Sequence, residues 1–218
     1  NEHIKWADII NLHWVPSMWD YSLFQKLDKP IVWTLHDMNV FTGGCHYTGN
    51  CIGFTTDCKN CPQLLGTRNS DLSHKVLSYK QKQTRQVSIT YIALCDWMKN
   101  SLRSSLIYKN EDIFKIYNSL DTKIFKPINQ TKARAALSVP LDRKIVLFVS
   151  ERIDNQRKGG SLLPVIIQKL KEENIYFYSI GASKVEEIDD NLFQLGIIQD
   201  EETMAKVYNI ADVLIVPS

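Results

Sequence analysis

Ile145-Val146-Leu147-Phe148-Val149 runs directly into Ser150-Glu151-Arg152-Ile153-Asp154-Asn155-Gln156-Arg157-Lys158-Gly159-Gly160. The five apolar residues have the length and composition of a fully buried strand. Ser161 to Lys171 then reads as a helix, with Ser161 or Gly160 as its cap and Pro164 in the first turn, where N–H groups lack intrahelical partners. Arg152, Arg157 and Lys158 therefore sit at a strand-to-helix turn, beside the positive end of a helix dipole. Gly159 and Gly160 allow close approach of backbone to a ligand. Such a turn, at the carboxyl end of a buried strand, suits a phosphate group. The plainer reading is a solvated basic loop.

Outward from this stretch the pattern repeats. Ile175–Ile180 is a strand ending at Gly181, Phe193–Leu195 a short strand, Asp200 the cap of a helix through Met204, Val207 and Tyr208, and Val213–Val216 a last strand. Toward the start, Asp8–Trp14 reads as a strand, Pro16–Leu27 as an amphipathic helix and Pro30–Asp37 as a strand. Strand, helix, strand with short joins makes a βαβ unit and a parallel sheet. Val87–Leu94, a helix from Asp96 and Phe114–Tyr117 continue that lobe. The expected fold is α/β, with two Rossmann-like, doubly wound lobes at 1–126 and 127–218, a cysteine-rich loop at 38–66, and a ligand cleft facing the strand ends.

Bulk properties narrow the classes. The net charge is +2, so cationic recognition has to be local and no nucleic-acid partner is expected. No run of about 20 apolar residues exists to span a bilayer, and no signal-peptide pattern opens the chain. The chain begins almost at a strand and ends on one, which predicts a piece of a longer protein.

Two further constellations carry chemistry. His36, in Leu35-His36-Asp37, ends a strand where it would face a cleft, with Asp37 able to orient its ring; His13, at the end of the preceding strand, is a weaker candidate. The structural alternative is a histidine satisfied by neighbouring backbone. Cys45, Cys51, Cys58 and Cys61 fall within a Gly- and Thr-rich loop with too few apolar residues to order itself by burial. Structural zinc through four thiolates, or two disulfides, would hold it. Four ligands would close the shell, so no catalytic metal is expected. Cys95 reads as a buried thiol. Lys75, Lys80, Lys82 and Arg85 read as one solvated helix face.

Arg152 with Lys158-Gly159 six residues on resembles the donor-diphosphate loop of retaining GT-B glycosyltransferases of family four. Ile116-Tyr117-Asn118-Ser119-Leu120-Asp121 with Phe125 and Pro127 resembles that family's interdomain segment, with Ser119 where the family has Gly. Leu195-Gly196-Ile197-Ile198, Asp200-Glu201-Glu202 and Ala211-Asp212-Val213-Leu214-Ile215-Val216-Pro217-Ser218 resemble its donor-side segments, and His36-Asp37 its "HD" active-site element. The ordered matches run through nearly the whole chain.

The resemblance implies a GT-B fold and sugar transfer from a nucleotide-diphosphate sugar to a glycan or lipid-linked acceptor, with retention, in surface polysaccharide biosynthesis. It assigns Arg152 and Lys158 to the diphosphate, backbone near Ile198 to the nucleobase, and His36 to the sugar. It places the chemistry in the cytoplasm, with peripheral contact at the inner membrane surface in which Trp14, Trp19 and Trp97 would share. There zinc is favoured over disulfides or free thiols. The family's acidic E-x7-E motif is not in this sequence, so this segment alone is expected to be inactive. Rival readings are a nucleotide-sugar epimerase of the same fold and a non-catalytic, zinc-stabilised interaction module.

Overall fold

The computed structural model describes residues 2–16, 18–64, 71–108, 110, 112–171, 173–182 and 189–217. Residues 65 and 66 of the expected cysteine-rich loop, and Ser218, lie outside them. The chain divides into two compact units, Asn1–Ser119 and Leu120–Ser218.

In the first unit, strands β1 (Ile10–Leu12), β2 (Ile31–Leu35), β3 (Ile89–Ala93) and β4 (Ile113–Lys115) pair in sequential order, all parallel. Ile10 aligns with Ile31, and Ile31 with Ile89, so their buried side chains stack across the sheet into one core. Helices α1 (Glu2–Trp6), α2 (Asp71–Thr84) and α3 (Asp96–Ser104) accompany these strands. The expected helix from Pro16 to Leu27 is instead a 3-10 turn at Tyr21–Lys26, capped by the Asp20 side chain on the Ser22 N–H. Aromatic packing overrides the helical pattern there: Tyr21 and Phe24 both meet Trp33, at ring-centre distances of 5.7 and 5.4 Å.

In the second unit, α4 (Gln130–Ala136), β5 (Lys144–Arg152), α5 (Leu163–Lys169), β6 (Ile175–Ala182), β7 (Leu192–Gln194), α6 (Glu201–Ile210) and β8 (Val213–Ile215) build a parallel sheet of order β7-β6-β5-β8. Alternate residues of β5 leave on opposite faces. Ile145 and Leu147 join Ala133 of α4 and Val207 of α6 on one face. Phe148 joins Leu163 and Ile167 of α5 on the other. Both faces are covered, which is why β5 reads as an unbroken apolar run. Arg134, buried on α4, pairs with Asp212 at 2.7 Å and donates to the Ile210 carbonyl, tying α4 to the entry of β8.

The order of this second sheet has a consequence for ligands. From β5 the chain moves to β6 and β7 on one side, while β8 returns on the other. The switch of direction lies between β5 and β8, and open α/β sheets bind ligands outside the carboxyl ends of strands at such a point.

Candidate functional site

Arg152 is the last residue of β5 at this switch point, and the loop that leaves the strand carries Arg157 and Lys158. Arg152 holds Asp154 through two nearly parallel bonds, Nε to Oδ1 at 3.1 Å and Nη2 to Oδ2 at 2.7 Å. That partner raises the already high arginine pKa. Asn155 accepts the Arg157 N–H at 3.0 Å and starts a 3-10 turn, Gln156–Lys158. Lys158 is half-buried at the end of that turn.

The structure changes two expectations about this loop. The α-helix begins at Leu163 rather than Ser161, after a second 3-10 turn at Gly160–Leu162, and spans seven residues without a side-chain cap. Arg157 and Lys158 thus lie in a 3-10 turn and not at the opening of a helix. The glycines also serve a different close approach. A Cβ on Gly160 would fall 1.8 Å from the Ile153 carbonyl oxygen, and one on Gly159, at φ +74°, would fall 2.5 Å from Pro217. These glycines let the loop fold on itself and against the residue beyond β8. Gly181 is similar, its missing Cβ being 1.9 Å from the Ser150 oxygen. Gly196, at φ +69°, has open space beside it, and the half-buried Ile198 follows two residues on.

The first unit holds a separate cavity of about 330 Å³ at the carboxyl ends of β1 and β2. His13 follows β1 and His36 follows β2. Because the two strands are adjacent, the rings meet, with His13 Nδ1 2.9 Å from His36 Nε2. One imidazole donates to the other. Asp37, next in sequence to His36, is buried. Its Oδ1 accepts the Asn39 N–H at 2.9 Å, and its Oδ2 takes the Trp14 indole N–H at 2.8 Å and His46 Nδ1 at 2.6 Å. The expectation that Asp37 orients His36 is replaced by this geometry: Asp37 holds Trp14 and His46, while His13 is the partner of His36.

His46 and Lys80 were not legible as site residues. Lys80, expected on a solvated face, is 4% exposed. Its ammonium donates to the Asn39 carbonyl, to Asn39 Oδ1 at 3.4 Å and to the Thr42 carbonyl at 3.1 Å, and lies 5.5 Å from the Tyr21 ring centre. Burial pulls its pKa down to about 8. A signal for this exists in the sequence: Ser73, Leu77, Lys80 and Thr84 follow the i, i+4, i+7, i+11 spacing of one helix face, and all four are buried.

The four loop cysteines surround one small cavity of about 30 Å³. The expected zinc site is not supported there. Among the described residues no group of three or more Cys, His, Asp or Glu is placed to hold a metal ion, and all four thiols are free rather than paired in disulfides. Burial pushes the thiols of Cys45 and Cys58 up. The loop orders itself by contacts that the sequence reading underestimated. Phe41 and Phe54 are buried edge to face at 5.8 Å, Ser73 Oγ donates to the Cys58 carbonyl at 2.6 Å, and Leu106 N–H donates to the Phe54 carbonyl at 3.0 Å. Cys95, expected to be buried, is exposed at the start of α3.

No family model matches this chain. Over 87 residues, 39% of this chain and 22% of the relative, it is 31% identical to WcaC of Escherichia coli (strain K12), named as a colanic acid biosynthesis glycosyl transferase. Solved structures match throughout. Sucrose-phosphate synthase from Thermosynechococcus elongatus superposes with a TM-score of 0.68 at 20% identity, covering 100% of this chain and 52% of that one. A glycosyltransferase from Rickettsia africae ESF-5 gives 0.62 at 18% identity, covering 100% and 53%. HepE of Anabaena in complex with UDP-glucose gives 0.64 at 12% identity, covering 100% and 56%. The chain thus has the α/β, parallel-sheet fold of GT-B glycosyltransferases, and spans about half the length of these structures. No helix among the described residues is long and apolar enough to cross a membrane.

Proposed function

We propose that this protein is a retaining glycosyltransferase that takes a sugar from a nucleotide-diphosphate donor and passes it to a glycan or lipid-linked acceptor. The observation that carries this reading is that Arg152 ends β5 and Lys158 lies in the loop leaving it, at the switch point between β5 and β8. The partial likeness to WcaC and the fold shared with a UDP-glucose-bound protein support it. The colanic acid biosynthesis named for WcaC also favours a polysaccharide product, which we take to be a surface one, and use of a nucleotide-sugar donor suits a cytoplasmic site.

As the bond from the anomeric carbon to the phosphate oxygen breaks, negative charge grows on the departing diphosphate. Arg152 and Lys158 meet that charge, and a donor aimed at developing charge is worth ~3 kcal/mol of barrier. The acceptor hydroxyl forms its new bond on the face the phosphate leaves, and its proton passes to the leaving oxygen. Backbone at Ile198, past the open space at Gly196, takes the nucleobase. His36 is the catalytic residue on the sugar side.

Calorimetry of UDP, GDP and ADP with the full chain tests the donor site. One of the three binds, and Lys158→Ala weakens it about 10- to 100-fold, the loss of one charge-assisted hydrogen bond. Unchanged affinity in that variant, with its fold intact, would remove the assignment.

A further inference from the structure

We propose that Asp154 is an internal anion that competes with the donor diphosphate for Arg152, and so sets how tightly the site holds the donor and how fast it releases the spent nucleotide. The identity of the ligand rests on the transferase reading; the competition comes from the geometry of the turn after β5.

The turn fixes both partners before their side chains meet. Ile153, between them, is buried with Phe148 and Leu163, and its N–H donates to the Ala182 carbonyl of β6 at 2.9 Å. The Arg152 carbonyl accepts from Ser150 Oγ at 2.8 Å and from the Asn155 N–H at 3.2 Å. With the middle residue anchored in the core, Arg152 and Asp154 are exposed on either side of it, and their side chains close on each other. Asp154 lies along the Nε–Nη2 edge of the guanidinium, one oxygen on each nitrogen. A phosphate takes the same two parallel bonds from an arginine. One edge serves one anion at a time.

Charge adds to the geometry. Paired with Asp154, Arg152 presents no net charge, and a donor phosphate meets its full charge only once the carboxylate lets go. Lys158 differs, having no carboxylate within ion-pair distance among the described residues. The Arg152–Asp154 pair stands partly in water, with 51% and 33% of the two side chains exposed. Its strength is that of a surface ion pair, which holds back a share of the affinity without excluding a more highly charged diphosphate. That share is the fraction of time for which Arg152 is engaged elsewhere. The product of sugar transfer keeps both phosphates and carries more charge than the donor, so the cations that stabilise the leaving group also retain it. Asp154 gives Arg152 another partner as the nucleotide departs.

The test is calorimetry and stopped-flow dissociation of UDP, GDP and ADP with the full chain. The proteins compared are the parent, Asp154→Asn, Asp154→Ser, Arg152→Gln, Lys158→Ala and the double variant Arg152→Gln/Asp154→Asn, each checked by thermal unfolding. Asn keeps the shape of the side chain and drops its charge; Ser drops both and stands in should the first variant not fold. The expected result is binding about two- to fivefold tighter in the Asp154 variants, with release slowed by the same factor. In the Arg152→Gln background the gain should fall below 1.5-fold. The proposal is overturned if the Asp154 variants bind no more tightly than the parent. It is also overturned if the gain is as large without Arg152, which would be the general effect of removing a negative charge. If no nucleotide binds, or if Arg152→Gln and Lys158→Ala both leave binding unchanged, the donor site falls and this proposal with it. If both weaken binding while the Asp154 variants gain nothing, only the competition falls.

Discussion

His46 Nδ1 stands 2.6 Å from Asp37 Oδ2, so the cysteine-rich loop is closed back onto the second residue after β2. Asp37 also holds Trp14 and the Asn39 N–H while being 6% exposed. Asp37→Ala leaves three donors without their acceptor, and the expected loss of stability is about 2–4 kcal/mol. Asp37→Asn keeps part of the set and recovers about half of that. Urea unfolding of both variants measures it; a loss below ~0.5 kcal/mol for Asp37→Ala, the range of an ordinary surface change, would contradict this account of the loop.

Lys80 makes stability depend on alkaline pH in a defined direction. Burial lowers its pKa to about 8 from an ordinary 10.5, against the opposing pull of Cys45, Cys58 and Asp37. Between those values the unfolded chain holds a proton that the folded chain has shed, so stability rises with pH across this window. The gain is up to ~3 kcal/mol. Chemical denaturation from pH 7.5 to 10.5 should show stability more favoured by rising pH in the parent protein than in Lys80→Met, since the raised thiols of Cys45 and Cys58 pull both proteins the opposite way. Equal slopes would place the amine in water.

The two kinds of glycine separate on substitution. Gly160→Ala forces a methyl group into the Ile153 carbonyl, and no flexible side chain is there to yield. Gly196→Ala meets only the strain of φ +69°, of order 1 kcal/mol. Thermal unfolding should therefore show Gly160→Ala well below Gly196→Ala in Tm. A reversed order would mean that the β5 loop is not packed as described.

The thiols should react in an order set by exposure. Cys95 is exposed, whereas burial raises the thiols of Cys45 and Cys58. Brief treatment of the folded protein with a maleimide, followed by peptide mass spectrometry, should find Cys95 labelled first and Cys58 last. Prompt labelling of Cys58 would show that the loop opens readily.

Buried parallel strands were legible because both their faces are covered, as β5 shows, so the apolar runs stand out without any turn chemistry. His36 was legible from its position alone, one residue beyond such a run. Its pairing with His13 was not, since the strand-helix-strand reading put the two segments side by side but how their ends bring the rings together is set by the sheet rather than by local sequence. Tyr21–Lys26 misled because the apolar spacing that marks a helix is also produced by aromatics converging on Trp33. The cysteine spacing drew attention to the thiols and away from Phe41 and Phe54, whose burial does the ordering. Lys80 was hidden by its charge, although its place on the α2 stripe put it with Leu77.

Lys80 also gives the molecule an internal reporter. Acetylating reagents and amine-directed cross-linkers reach lysines in proportion to their access to water, and this one is enclosed between α2 and the carbonyls of Asn39 and Thr42. In the native protein it should stay unmodified while Lys75 and Lys82 are tagged. Its first appearance in a digest, as temperature or ligand is varied, would time the separation of that loop from the helix without any engineered label.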